Sequence, residues 1–79
     1  MNPELYPILE HLQELTKDTD LGKRFKEKTE RVIIILQEGA PLAVEKALLE
    51  LEELNFIEAS SYHRTQVWDA MGMLESLKH

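Results

Sequence analysis

The run YHRTQVWDAMGMLESLKH, residues 62–79, decides the fold class of this chain. Its apolar residues Val67, Met71 and Leu74 follow one another at intervals of four and three. An α-helix turns once every 3.6 residues, so side chains at these intervals form one stripe along a helix. The chain's single tryptophan, Trp68, is next to that stripe in sequence. We therefore predict an amphipathic helix with Trp68, Met71 and Leu74 as structural residues, and with Trp68 largely buried.

Three earlier segments repeat this apolar spacing, which predicts an all-α chain. Connections of about two to six residues between helices favour antiparallel neighbours. The expected fold is therefore a compact four-helix bundle of antiparallel hairpins, in a single domain over residues 1–79. The four expected helices span residues 3–16, 21–38, 41–54 and, after a cap at Ser60 or Ser61, the stretch up to residue 77.

Residues at the expected helix ends support this division. Thr19 or Asp20 is the predicted N-cap of the second helix, because their side-chain oxygens accept from free backbone N–H groups. Gly39 is the predicted left-handed residue just after that helix. Phe56 and Ile57, before the last helix, are expected to close one end of the bundle.

The charge balance restricts the classes of partner. Fifteen acidic residues against nine basic ones give a net charge of −6, which opposes general binding to RNA or to an anionic membrane. No apolar run approaches the roughly 20 residues that span a bilayer, and the N-terminus lacks a secretory signal pattern. Without cysteine there is neither a disulfide nor a thiolate. These features predict a cytoplasmic protein that binds another protein and no membrane.

The run RTQVW at residues 64–68, followed by LESL at 74–77, resembles the C-terminal signature of UPF0147, an archaeal family of uncharacterised small helical proteins. Residues 15–19 and 43–47 are similar, in the same order, to the family's Asp-Thr turn and third helix. The resemblance implies an all-α four-helix bundle and implies no activity. The departures from the family pattern are at residues 21–24 and 58–60.

Candidate metal ligands are few. His11 and Glu14 are three residues apart, a spacing that metal ligands use in helical bundles. Such a site needs several converging ligands, and the predicted core stripes carry apolar residues. We predict no metal site and no cofactor.

A catalytic group is equally hard to assemble from the sequence. His63 and Asp69 are six residues apart, about 600° of helix rotation, so they do not share a face. Ser60 and Ser61, beside His63, are interpreted as helix caps, because the sequence shows no third group that would orient the histidine. We predict no catalytic residue.

Basic residues are concentrated at the start of the second helix. Arg24, Lys28 and Arg31 follow at intervals of four and three, so they form a basic stripe, and Lys23 precedes it. One interpretation is a solvated face balanced by glutamates of the third helix. The other is a docking face for an acidic partner or an RNA backbone, with these four residues as the partner-binding set.

Three consecutive isoleucines end the second helix. Ile33, Ile34 and Ile35 cover about 200° of rotation, so they cannot all face one core. At least one is expected to be exposed or to lie in an oligomer interface, for which Ile34 and Ile35 are the candidates.

These observations together favour a non-catalytic protein-interaction module, with a homodimer among its expected assemblies. The alternative is an RNA- or ribosome-associated accessory protein that uses the basic stripe. The net charge disfavours RNA.

Overall fold

The computed structural model of the chain describes residues 3–57 and 59–77. Helix α1 spans Tyr6–Thr16, α2 spans Lys23–Glu38, α3 spans Ala43–Glu53 and α4 spans Ser61–Ser76, and 3-10 turns occupy Pro3–Leu5 and Leu54–Phe56. Helix α1 packs on α2 and α4, and α3 also packs on both. The described ranges contain no strand, so the predicted all-α four-helix bundle is confirmed.

Every helix contributes a stripe of apolar side chains to one core. Phe25 is only 1% exposed, and the hydroxyl of the buried Thr29 donates to the Phe25 carbonyl oxygen at 2.8 Å. A buried polar group with such a partner carries little penalty. The largest fully buried side chains are Phe25, Ile8, Leu12, Leu36, Leu51, Leu54, Leu74, Val32, Val67 and Thr29.

The bundle measures 31 × 20 × 16 Å along its principal axes. Among the described residues, no helix has both the length and the apolar character needed to cross a membrane.

The helix ends agree with the sequence prediction at two of three places. Gly39 has φ 67° and ψ 24°, the predicted left-handed end of α2. The Ser60 side chain caps α4 by accepting from the backbone N–H of His63. The predicted cap of α2 is wrong, because α2 begins after Gly22, which has no capping side chain. The helix starts later than predicted because Leu21 N–H closes a turn onto the Asp18 carbonyl oxygen and Gly22 has an extended backbone.

The predicted burial of Trp68 is wrong. Val67 and Leu74 are buried and Met71 packs partly against the core, as the stripe predicted. Trp68 is 56% exposed, and its Nε1 donates to Asn55 Oδ1 at 3.1 Å. A residue adjacent to a stripe is turned about 100° from it, which is enough to place a large ring at the surface.

The prediction that at least one of the three consecutive isoleucines is exposed is confirmed. Ile33 is buried, Ile35 packs partly against the core, and Ile34 is 55% exposed. Of the two residues predicted for an oligomer interface, Ile34 alone is thus largely available at the surface.

Candidate functional site

The structure brings most of the predicted basic stripe together beside an aromatic ring. Arg24, Lys28 and Arg31 line one open cleft between α2 and the turn after α3, and Phe56 forms part of the same cleft. Lys23 is exposed at the first position of α2 and does not line this cleft. Phe56 is 90% exposed, so the expectation that it closes the end of the bundle is wrong.

Two of the three stripe residues are bound to glutamates of α3. The Lys28 Nζ donates to Glu50 Oε2 at 2.8 Å and to Glu53 Oε1 at 3.1 Å. Arg31 Nε forms an ion pair with the other oxygen of Glu50. The Lys28 side chain is 24% exposed, so it is not the solvated cation that a docking stripe requires. Of the two interpretations of the basic stripe, the face balanced by glutamates of the third helix is therefore the one found at Lys28 and Arg31.

These ion pairs shift the pKa values of Glu50 and Lys28. The hydrogen bond from Lys28 holds the pKa of Glu50 below its ordinary value, with a smaller contribution from Arg31, although burial opposes the shift. The hydrogen bonds with Glu50 and Glu53 raise the pKa of Lys28. Both shifts favour the charged forms, so the seam between α2 and α3 is electrostatically satisfied within the chain.

Arg24 is different from its two neighbours on the stripe. It is exposed, like Lys23, and neither makes an ion pair with another residue of the described ranges. Within the predicted partner-binding set, the unpaired positive charge therefore lies at the start of α2, at the end of the hairpin that carries Phe56.

A second polar cluster joins the α1–α2 connection to the start of α4. His63 is 5% exposed, and its Nε2 lies 2.8 Å from Asp18 Oδ2. A carboxylate only accepts, so Nε2 carries the proton and donates it to Asp18. The other ring nitrogen, Nδ1, lies 3.0 Å from Ser60 Oγ and accepts from that hydroxyl when the ring is neutral. The expectation that no third group orients His63 is wrong, because Asp18 comes from 45 residues earlier in the chain.

The same serine also has a capping role. Ser60 Oγ accepts from the His63 backbone N–H at 3.2 Å. The His63 ring also packs near Phe25 and Tyr62, with centroid distances of 6.0 and 5.6 Å. The three residues therefore form a clasp, defined here as Asp18, Ser60 and His63, that fixes α4 against the preceding helices.

We expect bundle stability to fall in acid because of two carboxylates. The pKa of Asp18 is lowered by hydrogen bonds from His63 and from the Asp20 backbone, and that of Glu50 by Lys28. A group with a lowered folded-state pKa stabilises the fold above its ordinary value, about 4, and loses that effect as pH falls through the lowered value. Urea unfolding between about pH 6 and pH 2.5 measures the decline. Asp18→Asn and Glu50→Gln should each make it shallower, and a decline parallel to that of the parent would contradict the assignment.

Exposed apolar side chains lie on the outer side of α3 and just beside its ends. Leu42, Leu49 and Phe56 are 58%, 62% and 90% exposed, and they are spaced seven residues apart. Leu49 lies within α3, Leu42 is the residue just before it, and Phe56 ends the 3-10 turn that follows it. We call them the apolar row. The spacing was visible in the sequence, but the inward stripe at Ala47, Leu48 and Leu51 has the stronger signal.

The apolar row belongs to a larger surface, the outer face of the α2–α3 hairpin. On α2 this face carries Arg24, the paired Arg31, and Glu38, again at intervals of seven, with the exposed Ile34 beside them. The outer face is thus defined by Arg24, Arg31, Ile34, Glu38 and the three residues of the apolar row. Exposed apolar groups gathered on one face are typical of interaction surfaces.

Comparison of the chain with models of protein families, with curated proteins and with solved structures found no significant match in any of the three. The resemblance to UPF0147 stays a prediction from residues 64–68 and 74–77.

Proposed function

We propose that this chain is a protein-interaction module that binds its partner through the outer face of the α2–α3 hairpin. The observation that carries the proposal is the apolar row. Each of its three side chains is more than half exposed although the bundle has a well-filled core. Burying such side chains stabilises a complex by roughly 25 cal/mol per Å² of apolar area.

The ion pairs across the hairpin argue against the RNA-associated alternative. A phosphate backbone that approached Lys28 or Arg31 would have to displace Glu50, which binds both. Glu53 adds a further negative charge beside Lys28. Contacts to RNA depend on cations that are free to release counterions, and two stripe residues do not meet that condition.

In this proposal the clasp has a structural role. Its connectivity of serine, histidine and aspartate is that of a hydrolase relay, but the Ser60 oxygen also caps α4 and the His63 ring is buried. Both features suit the positioning of a helix.

Affinity capture from cells that make the protein tests the proposal, with and without nuclease. We expect Leu49→Glu to lose the proteins that the parent retains, because a carboxylate would be placed at the centre of the apolar row. Tyr6→Glu is the matched control, since Tyr6 is exposed to a similar extent, 58%, but lies on α1. Capture that is unchanged by Leu49→Glu, or that nuclease abolishes, would contradict the proposal.

A further inference from the structure

We propose that the partner on the outer face is a second copy of this chain, docked with its α2–α3 hairpin reversed end for end. This inference rests on the proposed function and goes further, because the outer face is complementary to itself. A two-fold axis makes the same surface serve both subunits, so residue i meets residue j and residue j meets residue i.

The charges of α2 have this two-fold pattern. Arg24 and Glu38 each lie seven residues from Arg31, which is about 10 Å along the helix on either side. Both are exposed, and neither has an ion-pair partner within the described residues. If two copies of α2 cross antiparallel with Arg31 at the axis, Arg24 of each copy faces Glu38 of the other.

The apolar row of α3 has the same pattern about Leu49. Leu42 and Phe56 each lie seven residues from Leu49, one just before α3 and one in the turn just after it. In the reversed arrangement Leu42 of one copy meets Phe56 of the other, and the two Leu49 side chains meet at the axis.

Arg31 is the centre of the charge pattern and Leu49 is the centre of the apolar row. These two residues lie at the same level along the hairpin, as a single two-fold axis requires. Arg31 is bound to Glu50, the residue directly after Leu49. At one end of the face, Arg24 and Phe56 line the same cleft. At the other end, Glu38 closes α2 and Leu42 precedes α3. A single two-fold rotation therefore places Arg24 opposite Glu38 and Leu42 opposite Phe56 of the other copy.

The flanks of α3 are compatible with this arrangement. Lys46 and Glu53 both lie on the flank toward α2, and reversal places the Lys46 of one copy near the Glu53 of the other. Glu45 and Glu52 lie on the flank toward α4, where reversal brings like charges to the rim of the interface. Water and salt screen charges at an exposed rim.

Sedimentation equilibrium of the purified chain, up to about 1 mM, tests the proposal. We expect a dimer with a Kd of about 10–100 µM, which this concentration range would detect. Leu49→Glu should weaken the dimer at least tenfold, because it places two carboxylates together at the axis. Tyr6→Glu, on α1, should leave Kd unchanged. A monomer at every concentration, or equal Kd values for Leu49→Glu and the parent, would overturn the proposal.

A charge-exchange experiment tests the reversed orientation. Arg24→Glu and Glu38→Arg should each weaken the homodimer, since each variant places like charges at both ends of the face. An equimolar mixture of the two variants should recover the parental affinity, because every pair in the mixed dimer is again of opposite charge. Recovery of Arg24→Glu by Glu52→Arg instead would overturn the reversed orientation, since it requires α2 to lie across the α3 of the other copy.

The two proposals fail in distinguishable ways. If the chain stays monomeric while Leu49→Glu still abolishes protein capture, the second copy is the wrong occupant and the interaction module stands. If Leu49→Glu changes neither self-association nor capture, the outer face has no binding role and both proposals fail.

Discussion

Replacing Phe25 with alanine should destabilise the bundle by about 3–5 kcal/mol, the range for removing a buried aromatic ring from a core. Phe25 is 1% exposed and belongs to the core that all four helices share. Small domains have a total stability of roughly 5–15 kcal/mol, so this loss is a large fraction of the total. Thermal and urea unfolding followed by the helical CD signal measure the loss.

Trp68→Ala is the matched control for Phe25→Ala, because it also removes an aromatic ring. The Trp68 ring is 56% exposed, and its hydrogen bond to Asn55 lies at the surface. We expect a loss of about 0.5–1 kcal/mol, as for other surface substitutions. If Trp68→Ala were as damaging as Phe25→Ala, the position of the ring in this structure would be wrong.

Replacing His63 with alanine should cost about 2–4 kcal/mol of stability, from the cavity and from the lost hydrogen bonds. His63 is 5% exposed and binds both Asp18 and Ser60 through its ring. Its removal also leaves space beside the Phe25 ring. Urea unfolding near neutral pH measures the change.

His11 provides the comparison for this substitution. It is half-buried, and its Nε2 donates to the carbonyl oxygen of Gln66 at 2.8 Å, which links α1 to α4 by a single bond. We expect His11→Ala to cost about 1 kcal/mol, the value of one such bond. Equal losses for the two histidines would show that the clasp adds nothing beyond an ordinary interhelical contact.

The fold was predictable because each helix keeps a regular spacing of apolar residues over several turns. Intervals of three and four specify which face of each helix is buried, and Gly39 marks the end of α2 through its left-handed backbone. These are local properties, so a single sequence carries them.

The position of Trp68 was not predictable in the same way. It is adjacent to the buried Val67, and its ring points to the Asn55 side chain, 13 residues away. Hydrophobicity alone favoured burial, but smaller side chains such as Leu51, Leu54 and Leu74 are the fully buried ones. Which apolar side chains occupy the limited volume of the core is decided only when the helices pack together.

In the candidate site, the partners of charged and polar side chains were likewise not predictable from the sequence. The helical spacing placed Arg24, Lys28 and Arg31 on one stripe, and they line one cleft. The sequence did not decide whether glutamates of the third helix would neutralise them, and Glu50 does so for two of the three. Likewise, nothing local indicates that Asp18 meets His63, because that contact exists only after the helices have packed.

The clasp has a consequence for the rates of folding and unfolding. Asp18 and His63 are 45 residues apart in sequence, whereas the Arg31–Glu50 and Lys28–Glu50 pairs lie within one helical hairpin. Closing a long loop costs more chain entropy than closing a short one, so the hairpin contacts are expected to precede the clasp. An interaction that forms after the transition state affects the unfolding rate much more than the folding rate. We therefore expect loss of the Asp18–His63 hydrogen bond to speed unfolding more than it slows folding.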